Sequence, residues 1–148
     1  MRDVTRSALV AESPLRMFEL INDVPSYPQF VPWCTAARIE SQSDHEIVAT
    51  LAVKRGLLKL DFTTRNTLHA PSRIEMRLER GPFRTLEGEW MLTPVGLEGC
   101  RVELKLRYEF SRSVPGVLFD PLFEQTAASL VDAFIARARV LRGASVSS

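Results

Sequence analysis

At 148 residues the chain has the usual size of one domain and can bury a core without disulfide or metal staples. Lys and Arg (19) against Asp and Glu (18) leave a formal charge of +1, so no bulk field draws it onto nucleic acid or anionic lipid. No run approaches the roughly 18 apolar residues of a membrane span, the N-terminal residues alternate in polarity unlike a signal peptide, and Cys34 and Cys100 fall outside any CxxC spacing, so a cytoplasmic protein without a disulfide framework is expected.

Residues 4–11 alternate in character and read as a first strand, which Glu12-Ser13-Pro14 breaks. Ser13 before Pro14 is an N-cap followed by proline at the first helical position, and Leu15, Phe18 and Ile21 continue at helical spacing, predicting a helix over 14–22. Pro25, Pro28 and Pro32 among Tyr27, Phe30, Val31 and Trp33 predict a second short helix and a tight corner. Strands follow over 36–40 and 47–53 with a hairpin between them, then 58–68, 73–79, 86–92 and 100–110, each with one apolar and one charged face. Ala70-Pro71-Ser72, Gly81-Pro82 and Pro94-Val95-Gly96 fall where these strands reverse. From Ser113 the period changes: a brief turn over 114–119, then a long helix over 121–141 opened by Asp120-Pro121, with Phe123, Ala127, Leu130, Val131, Phe134, Ala138 and Leu141 as its apolar stripe. Arg137, Arg139 and Arg142 suit its C-terminal end, and Gly143 is expected to stop it.

Half-apolar strands need a cover, and only the last helix is long enough. The predicted class is therefore α+β, with a curved antiparallel sheet wrapped around a long C-terminal helix and two short helices after the first strand. A single domain spans 1–143, and 144–148 form a flexible tail. Such a wrap leaves apolar space between helix and sheet. Its candidate lining is Tyr27, Phe30, Trp33, Leu60, Phe62, Met76, Leu78, Leu86, Trp90, Leu104, Tyr108, Phe123, Leu130 and Phe134. The same stripe is what a solid core looks like, so pattern alone leaves hollow and core both open.

Chemistry finds less support. Ser7, Ser13 and Ser26 lack a GxSxG context, His45 and His69 lack partners, and the His and Cys residues show no metal-ligand spacing, so no catalytic residue, metal or catalytic cofactor is assigned. Glu75, Arg77, Glu87, Glu89, Arg101, Glu103, Lys105, Arg107 and Glu109 alternate strictly and read as a solvated face of cross-strand pairs. Lys54-Arg55-Gly56-Leu57-Leu58-Lys59 reads as an ordinary hairpin with Leu58 buried; a shallow peripheral foot on an anionic membrane is the alternative.

Asp23-Val24-Pro25-Ser26-Tyr27-Pro28-Gln29-Phe30-Val31-Pro32-Trp33-Cys34, together with Arg65-Asn66, Gly81-Pro82-Phe83, Leu86-Glu87-Gly88-Glu89-Trp90 and Ala133-Phe134-Ile135-Ala136-Arg137-Ala138, resembles the coenzyme Q-binding and ribosome-association-toxin (RatA) branch of the START-like, helix-grip superfamily. The resemblance implies a carrier of a hydrophobic ligand, foremost ubiquinone or a related prenyl quinone bound as cargo, with Trp33 or Tyr108 offering the head group a hydrogen bond. Its alternative is a toxin that binds the large ribosomal subunit and blocks subunit joining, through the charged sheet face or the arginine-rich helix end. A second alternative is a cyclase-like enzyme acting on an aromatic or polyketide substrate, for which Asn66, Tyr108 and Arg65 are the nearest polar candidates.

Overall fold

The computed structural model describes residues 1–147, with side chains described through residue 143. Seven strands form one antiparallel sheet: β1 (Arg2–Val10), β2 (Cys34–Gln42), β3 (Glu46–Arg55), β4 (Leu58–His69), β5 (Arg73–Arg80), β6 (Phe83–Val95) and β7 (Gly99–Phe110). Their spatial order is β1-β7-β6-β5-β4-β3-β2, a meander from β2 to β7 with β1 added against β7. The helix α1 (Pro14–Asn22) and a 3-10 helix (Val24–Gln29) carry the chain from one sheet edge to the other. The helix α2 (Gly116–Ser147) lies against the apolar face. This is the expected helix-grip arrangement, including the two short helices after the first strand.

Local chemistry accounts for these elements. Ser13 Oγ accepts the Arg16 backbone N–H at 3.1 Å and Pro14 opens α1, whose Met17, Phe18, Leu20 and Ile21 are buried. In β7, Cys100, Val102, Leu104 and Tyr108 are buried while Arg101, Lys105 and Arg107 face water, the alternation that makes a half-dry strand. β6 runs further than the sequence predicts and includes Pro94. Its β5 partner ends opposite Met91, so the N–H that proline lacks has no ladder to join. Gly81, at φ +149, takes a backbone that disfavours other residues, and a Cβ there would lie 2.7 Å from that of Phe62.

The helix α2 differs from expectation at both ends. The predicted turn over 114–119 and the helix from Pro121 are one continuous element from Gly116, with Pro121 inside it. Pro121 costs one early helical hydrogen bond, and the Tyr108 hydroxyl donates to the Asp120 carbonyl at 3.1 Å, tying that turn to β7. At the other end Gly143 does not stop the helix: no left-handed φ occurs there, and the backbone of 144–147 continues where a flexible tail is predicted, while Ser148 lies outside the described residues. Arg137, Arg139 and Arg142 thus fall before the last turn, which holds no basic residue. Arg137 instead stacks over the Phe30 ring at 5.2 Å and donates to Gln29 Oε1 at 3.1 Å. β1 is strapped to α2 by Arg2–Glu124 and Arg6–Asp132, each at 3.0 Å.

Candidate functional site

A partly open cavity of about 90 Å³ lies between α2 and the inner sheet face, bordered by α1 and the corner that follows it. Trp33, Phe62, Met76, Leu86, Trp90, Leu104, Phe123 and Leu130 line it as predicted, with Tyr27 at its α1 side. Phe30, Leu60, Leu78, Tyr108 and Phe134 do not. Phe134 is fully buried, with ring centroids 5.2 Å from Tyr27, 5.4 Å from Trp90 and 5.5 Å from Phe30. Tyr108 is equally buried, 4.6 Å from Phe123. Leu60 is buried and Leu78 partly buried, both packed into the core. Leu60, Tyr108 and Phe134 belong to the buried core, and Phe30 and Leu78 pack against it while partly exposed.

Sequence reasoning missed the β3 contribution of Ala49, Leu51 and Val53, and Ile21 and Val24 from the α1 side. The alternation of 49, 51 and 53 carried that signal for β3. The α1 residues needed the path across the sheet, which pattern does not give.

The polar groups at this cavity are mostly committed. Trp33 Nε1 donates to Ser129 Oγ at 3.0 Å, and that hydroxyl donates to the Thr126 carbonyl at 2.8 Å. Asn22 Nδ2 donates to the Phe18 carbonyl at 3.0 Å, and Thr126 Oγ1 to the Leu122 carbonyl at 2.7 Å. The Tyr27 hydroxyl donates to the Ile21 carbonyl, and burial pushes its phenol well above the ordinary tyrosine range. Trp33 and Tyr108, expected to hold a head group, both spend their donors inside the protein. Asn66 is different. Its Oδ1 is buried and has no hydrogen-bond partner among the described residues, a state that costs about 1–3 kcal/mol. In register it sits between Ile47 of β3 and Met76 of β5, neither of which can satisfy it.

The cavity lining contains no carboxylate, histidine, lysine or arginine. Of the residues considered for a cyclase, Arg65 faces outward onto Glu46 and Glu79, and Tyr108 is locked to Asp120, leaving Asn66. Cys34 and Cys100 are free and buried, and burial raises both thiols. No cluster of His, Cys, Asp and Glu among the described residues is grouped to hold a metal.

Outside, a shallow open groove of about 660 Å³ runs over β5, β6, β7 and β1. Its Arg73, Arg77, Lys105 and Arg107 are balanced by Asp3, Glu75, Glu87 and Glu89, with Arg73–Glu75 and Arg73–Glu89 at 2.8 Å. The sheet ends differ from this face. Because strand directions alternate, the β3–β4 tip, the β5–β6 tip and the segment entering α2 share one end, where the Ser111 N–H donates to the Pro82 carbonyl at 2.9 Å. Lys54, Arg55, Lys59, Arg84 and Arg112 gather at that end without an ion-pair partner among the described residues. Leu57, Leu118 and Val117 are exposed beside them, while Leu58 is buried as predicted. No described helix is long and apolar enough to cross a membrane.

With a sheet gripping its last helix around an apolar hollow, the chain belongs to the family described as polyketide cyclase/dehydrase and lipid transport, which matches residues 10–135. Within that family it is similar to ribosome association toxin RatA of Pseudomonas aeruginosa, at 40% identity over 140 residues covering 95% of this chain and 97% of that protein. The RatA of Escherichia coli K12 is also 40% identical, over 94% of this chain and 88% of its own length. The mitochondrial coenzyme Q-binding protein COQ10 of Drosophila melanogaster is 27% identical over 91% of this chain and 57% of its own length. Among solved structures, a START superfamily protein from Mycobacterium smegmatis superposes with a TM-score of 0.79 at 23% identity, covering 94% of this chain and 98% of that one. The Zhui aromatase/cyclase from Streptomyces sp. R1128 superposes at 0.81 with 18% identity, covering 93% of both chains. Those two likenesses speak for the fold alone.

Proposed function

We infer that the protein is a non-enzymatic, cytoplasmic ribosome-binding factor that associates with the large ribosomal subunit and hinders subunit joining. The observation that carries this reading is the 40% identity to RatA proteins over nearly the whole of both chains. The basic end supports it and suggests the contact: unpaired Lys54, Arg55, Lys59, Arg84 and Arg112 suit ribosomal RNA phosphates, whereas the charged sheet face considered from sequence is largely neutralised by its own pairs. Produced in cells and analysed on a sucrose gradient, the protein is expected to deplete joined ribosomes and raise free subunits. Lys54→Glu combined with Arg55→Glu is expected to abolish co-sedimentation with the large subunit. Normal joined ribosomes at growth-arresting levels of the protein would falsify this reading.

The apolar cavity and the distant COQ10 relative favour a second reading, carriage of a quinone-type lipid. Its difficulty is size: about 90 Å³ falls below the roughly 300–1,000 Å³ of ordinary ligand pockets, so a prenyl quinone needs α2 or the corner over 25–33 to move away from the sheet. Organic extraction of the purified protein followed by mass spectrometry tests it; repeated absence of quinone and no uptake of added ubiquinone count against it.

A further inference from the structure

We propose that the basic end of the sheet is a docking surface for an anionic lipid membrane, with Leu57, Val117 and Leu118 entering the interface and the surrounding cations meeting lipid head groups. It uses the same cations as the ribosome contact, so the two partners compete. It does not rest on that reading, because aliphatic side chains rather than cations carry it.

Two separate segments present these side chains at one end of the molecule. Arg55 pairs with Leu58, so Gly56 and Leu57 alone make the β3–β4 turn, with Gly56 at φ +58 in the first position and Leu57 at the apex. Leu57 is 81% exposed at a place where turns favour polar residues. Val117 and Leu118, 97% and 57% exposed, belong to the first turn of α2. Beneath them the Phe83 ring meets Phe62 of β4 at 5.8 Å and Phe123 of α2 at 5.3 Å, so the turn and the helix start project from one cluster of rings. The hairpin turn is too short to anchor alone; the helix start widens the apolar contact.

Charge decides what covers this end. Glu109 is taken by the N-terminal ammonium at 3.6 Å and Glu124 by Arg2 at 3.0 Å, which leaves Asp61 and Asp120 against Lys54, Arg55, Lys59, Arg84 and Arg112. A second copy of the chain would bring the same positive excess to the contact and be repelled. RNA phosphates satisfy the cations but give the aliphatic side chains nothing to enter, and the large apolar residues most exposed here include no ring on which a base could stack. An anionic bilayer meets both needs, with head groups for the cations and the acyl boundary for leucine and valine. The opposite end exposes Leu97 at the β6–β7 turn, but beside Glu98, so an anionic surface selects one end and one orientation.

The test mixes the full-length protein with vesicles of phosphatidylcholine, or of phosphatidylcholine and phosphatidylglycerol in equal parts, and floats them on a density gradient. Wild type is expected to rise with the anionic vesicles and to stay behind with the neutral ones. Leu57→Ser combined with Val117→Ser and Leu118→Ser keeps every cation and is expected to weaken partitioning onto anionic vesicles about tenfold or more. Leu57→Ser alone is expected to show a smaller loss in the same direction should the triple variant fail to fold. Leu57→Trp is expected to shift its emission to the blue on anionic vesicles, a change that the buried Trp33 and Trp90 do not supply. Co-sedimentation of the serine variant with the large ribosomal subunit is expected to be unchanged, which keeps this test apart from that of ribosome binding. Wild-type binding no better to anionic than to neutral vesicles, or binding undiminished by the serine substitutions, overturns the proposal, as does a serine variant that loses the ribosome while keeping the vesicles.

Discussion

The inner surface of this domain is solid in one place and hollow in another, although β4, β6, β7 and α2 run through both. Around Phe83, Tyr108, Phe110 and Phe123 the rings close on each other with centroids between 4.6 and 6.4 Å apart, and of these four only Phe123 also borders the cavity. Elsewhere on the inner surface, where β3 and β5 join these elements, Ala49, Thr64, Asn66, Met76 and Ala127 are among the lining residues and about 90 Å³ stays open. Aromatic side chains from several elements fill space when they can interlock edge to face; small residues opposite one another leave it. Because Trp33, Phe62 and Trp90 also line the hollow, the presence of large rings alone does not tell the two regions apart, and both look alike when read as strands of alternating polarity.

Truncation should separate the two regions. Phe134→Ala, in the filled interior between Tyr27, Phe30 and Trp90, is expected to cost about 3–5 kcal/mol, measured by denaturant unfolding. Leu130→Ala, on the cavity wall and only partly buried, is expected to cost about 2 kcal/mol, the low end of the range for such truncations. An equal loss at both positions would erase the distinction between core and lining. Next, Tyr108→Phe is expected to cost about 1 kcal/mol by removing the bond to the Asp120 carbonyl without changing the ring packing. Asn66→Leu should leave stability unchanged or raise it by up to about 1 kcal/mol, since it removes an unmet polar atom; a clear loss would mean that the amide has a partner.

The smallest effect belongs to the outer face. Hydrogen bonds from Arg80, then Thr50, hold the Glu40 carboxyl below its usual range, and Arg65 does the same for Glu79. A carboxylate with a lowered folded pKa stabilises above its unfolded value and loses that contribution as pH falls through the folded one. The stability gap between wild type and Glu40→Gln should therefore be present at neutral pH, close as pH falls below about 4, and shrink in high salt.

Much of the fold was legible because strand polarity and helix starts are written locally. The alternation of β4 and β7 and the Ser13-Pro14 start were enough to identify a gripped helix. The start of α2 was misjudged because Asp120-Pro121 is a sound N-cap signal, overruled here by tertiary contact from Tyr108. The candidate site was only partly legible. Whether Phe134 lines a cavity or fills a core depends on what faces it from Tyr27 and Trp90, information held in positions far apart along the chain. Asn66 stood out on an apolar face, but its lack of a partner appears only once Ile47 and Met76 are placed beside it.

The strap between β1 and α2 has a consequence for the birth of the molecule. Arg2 and Arg6 meet Glu124 and Asp132 across separations of 122 and 126 residues. The first strand can pair with β7 once that strand is made, but its α2 partners come later still, and until then the sheet's greasy side has no lid. Contacts of such long sequence separation form late in folding, so the strap is made after the helix that closes the core has been synthesised.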